Sequence, residues 1–269
     1  MTQHQPLSPT ADGSWFLSPC IEWIFKEEHA DICDRVRAAA AAGLPGVEFH
    51  MWRNKPLDDL KRAADDSGLI ITSFLVEPRC SFVTLEGGEA LITAVSESAD
   101  AARRVGARAL VVASGMNIPQ ASRREQLDAL VSNLRRVAPL VEERGLTLLL
   151  EPVNTLVDHP GVFLDSNAEG LDVVAEVGHP AVRLLFDLYH SAAMRETAAQ
   201  AIGQRAHLIG HVQAADLPGR NQPGSGGIDW RGSLQLLRQC GYRGAIGLEY
   251  RPLGGSLDSI EQTRRAFGA

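Results

Sequence analysis

Three features of the sequence predict a single (β/α)8 barrel. Short apolar runs alternate with longer amphipathic stretches from one end of the chain to the other. Eight such runs are enough to close a parallel barrel, and the first, ending Ser18-Pro19-Cys20-Ile21, is not followed by the Gly-rich phosphate loop typical of an open doubly wound sheet. The length of 269 residues also suits one barrel, a fold of about 250 residues.

The elements follow in order. Residues 1–13 are polar and Pro-containing, without a basic start or an apolar core, so they read as a disordered tail and not a signal peptide. The barrel is expected over 14–269. Its strands are read at Trp15–Cys20, Gly46–His50, Ile70–Val76, Ala109–Ala113, Thr147–Glu151, Val182–Asp187, Leu208–Ala214 and Ala245–Tyr250. Helices are read at Ala30–Ala42, Leu57–Ser67, Ala90–Val105, Arg123–Glu143, Asn167–Val177, Trp230–Cys240 and Ser256–Phe267. In the fourth of these, Leu127, Leu130, Leu134, Val137 and Leu140 recur at three- and four-residue steps and make one apolar stripe. Gly43, Gly68, Gly106, Gly145, Gly178 and Gly241 each stand where a helix should close, because the left-handed terminating conformation costs glycine little. Strict alternation of strand and helix implies parallel strands with right-handed crossovers.

Composition narrows the function. A net charge of -7, with no basic cluster interleaved with aromatics, argues against nucleic acid or an anionic membrane as partner. No apolar run approaches the ~20 residues needed to span a bilayer. Cys20, Cys33, Cys80 and Cys240 are scattered without C-x-x-C spacing, which fits reduced thiols in a cytoplasmic protein better than disulfides or structural zinc.

In a barrel of this kind the active site lies at the C-terminal ends of the strands, so a polar residue closing an apolar run should point into the mouth. The second half of the chain supplies Glu151, Asp187, Gln213 and Glu249; the first half offers Glu48, a candidate substrate contact, and Glu77. Each carboxylate taken alone suits a helix cap or an arginine partner equally well. Three carboxylates and an amide converging on one mouth repel each other unless a cation sits among them, and such oxygen ligands suit Mg2+ or Mn2+. Asn154, after the proline that breaks Glu151-Pro152-Val153, is available for substrate hydroxyls. His190 lies one helical turn beyond Asp187 and can share its face. A Gly/Pro-rich loop from Asp216 to Gly227 follows the seventh strand, a type of loop that cradles anions or closes as a lid. Within it Arg220 is the candidate grip for a substrate carboxylate, because its fork matches that group.

These residues resemble the hydroxypyruvate isomerase family, within the wider xylose-isomerase-like superfamily of sugar isomerases and epimerases. The matching segments are Glu151-Pro-Val-Asn-Thr-Leu-Val-Asp-His-Pro-Gly161, Phe186-Asp-Leu-Tyr-His190, Gly210-His-Val-Gln-Ala-Ala-Asp-Leu-Pro-Gly-Arg220 and Gly247-Leu-Glu-Tyr-Arg-Pro252, with a weaker match at Gly43-Leu-Pro-Gly-Val-Glu-Phe49. The resemblance implies metal ligation by Glu151, Asp187, Gln213 and Glu249, with Glu151 and Glu249 as the acid/base pair. It further implies that His190 contacts a small hydroxy-carbonyl substrate, that Arg220 sits near its acidic end, and that the protein is a homo-oligomer. Histidine takes the place of Gln213 in related ketose 3-epimerases, so glutamine leans toward the isomerase branch. The stretch Glu77-Pro-Arg-Cys-Ser-Phe-Val83 departs from the isomerase pattern, in a region whose loops shape the substrate pocket.

Three other readings share the barrel. A ketose epimerase would use the same metal and carboxylates. A metal-dependent nuclease would hold several ions with additional histidines, and the spacing of His50, His159, His179, His207 and His211 predicts no such cluster. A non-catalytic sugar-binding barrel would keep the carboxylates for binding alone.

Overall fold

Alternating side-chain direction along each strand decides which residues line the barrel and which pack under the helices. The computed structural model describes residues 15–268; the tail expected over 1–13 lies outside them. The first half runs β1 (Phe16–Pro19), α1 (Ile32–Ala41), β2 (Gly46–Val47), α2 (Leu57–Ser67), β3 (Ile70–Ile71), β4 (Ser73–Leu75), α3 (Gly88–Val105) and β5 (Ala109–Ala113). The second half runs α4 (Arg123–Glu142), β6 (Thr147–Glu151), α5 (Asn167–Val177), β7 (Val182–Asp187), α6 (Leu188–Ala193), α7 (Ala198–Ile202), β8 (Ile209–Ala214), α8 (Trp230–Gln239), β9 (Ala245–Leu248) and α9 (Ser256–Phe267).

Seven strands pair in parallel in the order β1-β9-β8-β7-β6-β5-β4, and β2 pairs with β3. Backbone bonds close the gap. Glu48 N–H donates to Pro19 O at 3.0 Å, Ile21 N–H to Glu48 O at 2.9 Å, and Thr72 N–H to Val47 O at 2.9 Å. β3 and β4 are two halves of the third barrel strand, divided at Thr72, so the eight runs read from sequence form the expected (β/α)8 barrel.

The lumen on the β4–β7 side is apolar: Ala109, Val111, Leu149 and Leu185 pack as one buried cluster with Leu75 against it. Their neighbours Leu110, Val112, Leu148, Leu150, Leu184 and Phe186 face outward into the large core beneath the helices. Two residues beyond Leu149 and Leu185 on the same face come Glu151 and Asp187. On β8 and β9 the outward residues are Val212, Ala214, Ile246 and Leu248, which leaves His211, Gln213, Gly247 and Glu249 for the inside.

The expected helices form with ends displaced by at most two residues. Leu130, Leu134 and Val137 of α4 are fully buried, whereas Leu127 and Leu140 are only half-buried at the edge of its stripe. The six helix-closing glycines all take positive φ. The short helices α6 and α7 were not anticipated. Asp187 caps α6 by accepting from Tyr189 N–H, and Thr197 forms a reciprocal capping box with Gln200 at the start of α7. All four cysteines are free, and no described helix is long and apolar enough to cross a membrane. Leu149→Ala, which opens a gap in the lumen, is expected to destabilise the fold by about 2–5 kcal/mol; the shift of the urea midpoint measures it, and an unmoved midpoint would refute the packing of Leu149 in the lumen.

Candidate active site

Glu151, Asp187, Gln213 and Glu249 are all buried at the C-terminal mouth. Asp187 serves two ends at once. Its Oδ1 accepts from Tyr189 N–H at 2.7 Å and His190 N–H at 3.3 Å, as a helix cap. Its Oδ2 faces inward, 3.6 Å from His190 Nε2. Glu151 Oε1 lies 3.6 Å from the same nitrogen. Ligand atoms of Glu151, Asp187 and His190 all fall within 4.8 Å of one another, a cluster able to hold a metal ion. Glu249 lines the same pocket, with Arg220 and His50 on its Oε1.

The hydrogen bonds of Asn154 orient the His190 ring. Asn154 Oδ1 accepts from Val157 N–H and Asp158 N–H, at 3.0 and 2.8 Å, so its Nδ2 is the end that points at Asp158 and at His190 Nδ1, 2.7 Å away. Asn154 backbone N–H reaches His190 Nδ1 as well, at 3.2 Å. Two donors on Nδ1 leave the ring proton on Nε2, so His190 offers a donor to the mouth and not a lone pair to a metal. Burial lowers the His190 pKa, which keeps the ring neutral. Asn154 itself departs from expectation. It is fully buried with its amide engaged inside the protein, so it orients His190 in place of meeting substrate hydroxyls.

Arg220 sits in left-handed backbone (φ 54°) at the heart of the Asp216–Gly227 loop. Its guanidinium lies 4.9 Å from the Trp23 ring and 5.0 Å from the Tyr189 ring, and Nη2 is 3.0 Å from Glu249 Oε1. His50 Nε2 approaches the same oxygen at 3.0 Å, with Cys20 Sγ 3.3 Å from that nitrogen. The two glutamates are pushed apart as a result. Burial together with the Glu249 and Asp187 carboxylates holds Glu151 well above the usual carboxylate range. Burial also opposes ionisation of Glu249, but Arg220 and His50 outweigh it and bring its pKa down to about 2. Two titratable groups split in this way are the pattern expected of an acid/base pair.

The loop around Arg220 is held from within by one carboxylate. The buried Asp216 carboxylate takes its donors: Leu217 N–H, Ile228 N–H, Gly224 N–H and the Trp230 indole. Glu77 faces the β2–α2 turn, where it accepts from Trp52 and Arg53 N–H, and it takes no part in the mouth. Glu48 is at the mouth, but protein donors occupy both of its oxygens: Gln213 Nε2 at 2.7 Å and His211 Nε2 at 2.8 Å. His50, which sequence spacing passed over, could have been found by its place two residues beyond Glu48 on the same strand face. His159 also reaches the site, with its ring 5.5 Å from that of His190.

The donor set fits a hard divalent cation. Gln213 Oε1 is buried with no hydrogen-bond partner, and it accompanies the inward oxygens of Glu151 and Asp187. Above them opens a cavity of about 580 Å³, walled by Phe74, Val76, Phe82, Met116 and Val162, with Arg79 along its lining.

Comparison with known proteins decides the family. Residues 36–266 match the model of the xylose isomerase-like TIM barrel. The chain belongs to the xylose isomerase-like TIM-barrel family. Hydroxypyruvate isomerase of Escherichia coli is 30% identical over 231 residues, 82% of this chain and 88% of that protein. The 2-oxo-tetronate isomerase of Cupriavidus necator is 30% identical over 236 residues, 85% of this chain and 90% of its own length. This chain is an isomerase by the same kinship. A solved structure described as an AP endonuclease, family 2, from Brucella melitensis superposes with a TM-score of 0.83 at 26% identity, covering 91% of this chain and 96% of that one.

Because a divalent cation must displace the proton held on Glu151, Mn2+ affinity is expected to fall as pH drops through that raised pKa, with proton release on binding. Calorimetric titration in buffers of different ionisation enthalpy checks this. An affinity constant between about pH 5 and pH 8, with no proton released, would mean that Glu151 is already ionised.

Proposed function

We propose that this isomerase interconverts the ketone and aldehyde forms of a small hydroxy-carbonyl acid, with hydroxypyruvate and tartronate semialdehyde (2-hydroxy-3-oxopropanoate) as the pair its site suits best. The observation that carries the reading is the convergence of Glu151, Asp187, Gln213 and Glu249 on one buried mouth, beside an Arg220 guanidinium 3.0 Å from Glu249 and able to receive a carboxylate. A Mg2+ or Mn2+ ion held by the oxygens of Glu151, Asp187, Gln213 and Glu249 would polarise the carbonyl and offset the negative charge developing on the substrate oxygens.

The protein's own groups supply the proton traffic. Glu249 takes a proton from the hydroxymethyl carbon, and a glutamate of the pair delivers one to the former carbonyl carbon, while the hydroxyl proton passes from one substrate oxygen to the other. Nε2–H of His190 donates to a substrate oxygen. Arg220 grips the substrate carboxylate, and in doing so relaxes its hold on Glu249. A carboxylate with a pKa near 2 is a weak base, so that competition moves Glu249 toward the range a catalytic base needs.

The cavity favours a second reading within the same chemistry. At about 580 Å³ it lies in the range that encloses drug-sized ligands, far beyond a three-carbon acid. A longer hydroxy-keto acid, or a ketose undergoing epimerisation, would fill it better. A nuclease reading gains no such support, since His50, His159 and His211 are turned to Glu249, His190 and Glu48 and not to a common point.

Proton NMR in D2O tests the proposal with hydroxypyruvate, Mg2+ or Mn2+, and then chelator. Metal-dependent deuterium incorporation and an aldehyde-hydrate signal are expected; exchange with ketoses alone would select the epimerase, and silence with both would sink the isomerisation. Glu249→Gln is expected to leave the circular dichroism spectrum unchanged and remove most turnover, whereas full activity in this variant would strip Glu249 of its acid/base role.

A further inference from the structure

An amide side chain has two ends of nearly the same shape, and only the oxygen end can ligate a cation. In Gln213 the ends are sorted. Nε2 donates to Glu48 Oε1 at 2.7 Å, and Oε1 is left buried without a partner on the side of the mouth. The other oxygen of Glu48 is held separately. Its Oε2 accepts from His211 Nε2 at 2.8 Å and from the Thr72 hydroxyl at 3.5 Å, and Thr72 is in turn 2.8 Å from the Ser18 hydroxyl. With Glu48 Oε1 accepting, the amide nitrogen and not the oxygen is the end of Gln213 that meets it.

The barrel makes room for this arrangement at a cost. Gly247 lies across from the carboxylate, and a Cβ built there would stand 2.6 Å from each Glu48 oxygen. Glu48 and His211 are both enclosed, at a level of the lumen where the neighbouring strands carry Leu149 and Leu185. Burying such a pair rarely stabilises a fold relative to an apolar filling.

Resting on the metal-centre reading above, we infer that Glu48 is a positioning residue: braced by His211, it fixes the Gln213 amide with its oxygen toward the cation. Neighbours that orient metal ligands in this way are commonly worth 10–100-fold in metal affinity.

The test is calorimetric titration of the full chain with MnCl2. Glu48→Met, close in shape and unable to accept, is expected to weaken Mn2+ binding about tenfold or more. Glu48→Gln is expected to stay within about threefold of the unsubstituted protein, because an amide at this position can still present an oxygen to Gln213 Nε2. The decisive variant is the double substitution E48M/Q213E. A carboxylate at position 213 has two equivalent oxygens and no wrong end, so binding should return to within about threefold. Undiminished affinity in E48M overturns the inference, and so does a double variant as weak as E48M, which would mean that Glu48 acts through the fold. Glu48→Ala, which leaves space and adds no strain, replaces Glu48→Met in both arms if that variant does not fold. Failure of the metal-centre reading looks different: the unsubstituted protein binds no Mn2+, or Asp187→Asn binds it equally well.

Discussion

Buried negative charge at the barrel mouth is the constraint to which the rest of the site answers. Glu151, Asp187 and Glu249 share a small volume, with Glu48 beneath them. Like charges at such range repel by about 4 kcal/mol per pair at 4 Å even in a moderately polar protein interior. The structure answers with Arg220, clasped between Trp23 and Tyr189 so that its charge stays in place, and with His50 on the same Glu249 oxygen. Burial, and after it the Glu249 and Asp187 carboxylates, still holds the pKa of Glu151 above the usual carboxylate range. The divalent ion proposed for this mouth would meet the same demand for positive charge. The Asp216 carboxylate has a parallel duty in holding the loop that delivers Arg220.

Most of the fold was legible because two periodicities alternate without ambiguity. A two-residue period running Leu149 to Glu151 and Leu185 to Asp187 puts an acid on the inner face at the end of a strand, wherever the helices pack. The four proposed oxygen ligands follow from that rule and from the direction of the barrel. Helices α6 and α7 escaped because their five or six residues hold barely more than one turn, too short for an apolar stripe to show. They exist through their caps, and the first of those caps is a residue that reads equally well as a ligand.

Side-chain roles were less legible, for a physical reason. Whether Asn154 meets substrate depends on whether its hydrogen-bonding capacity is already spent, which is set by Asp158, His190 and two backbone amides brought together only by folding. Glu77 and Glu48 close neighbouring strands in the same manner, yet one turns to a backbone turn and the other into the lumen. His50 gives no local sign of its partner, since Glu249 lies 199 positions further along the chain.

Most of the cavity wall and the proposed proton-transfer groups come from different halves of the chain. Phe74 belongs to β4, and Val76, Arg79, Phe82 and Met116 to the loops after β4 and β5, while Glu151, Asp187, Gln213 and Glu249 stand at the ends of β6 through β9. The barrel is thus modular across its own diameter. Changes in the early loops can reshape what is admitted without disturbing the machinery opposite, so one inherited reaction can be re-aimed at molecules of different length by altering only the wall that faces it.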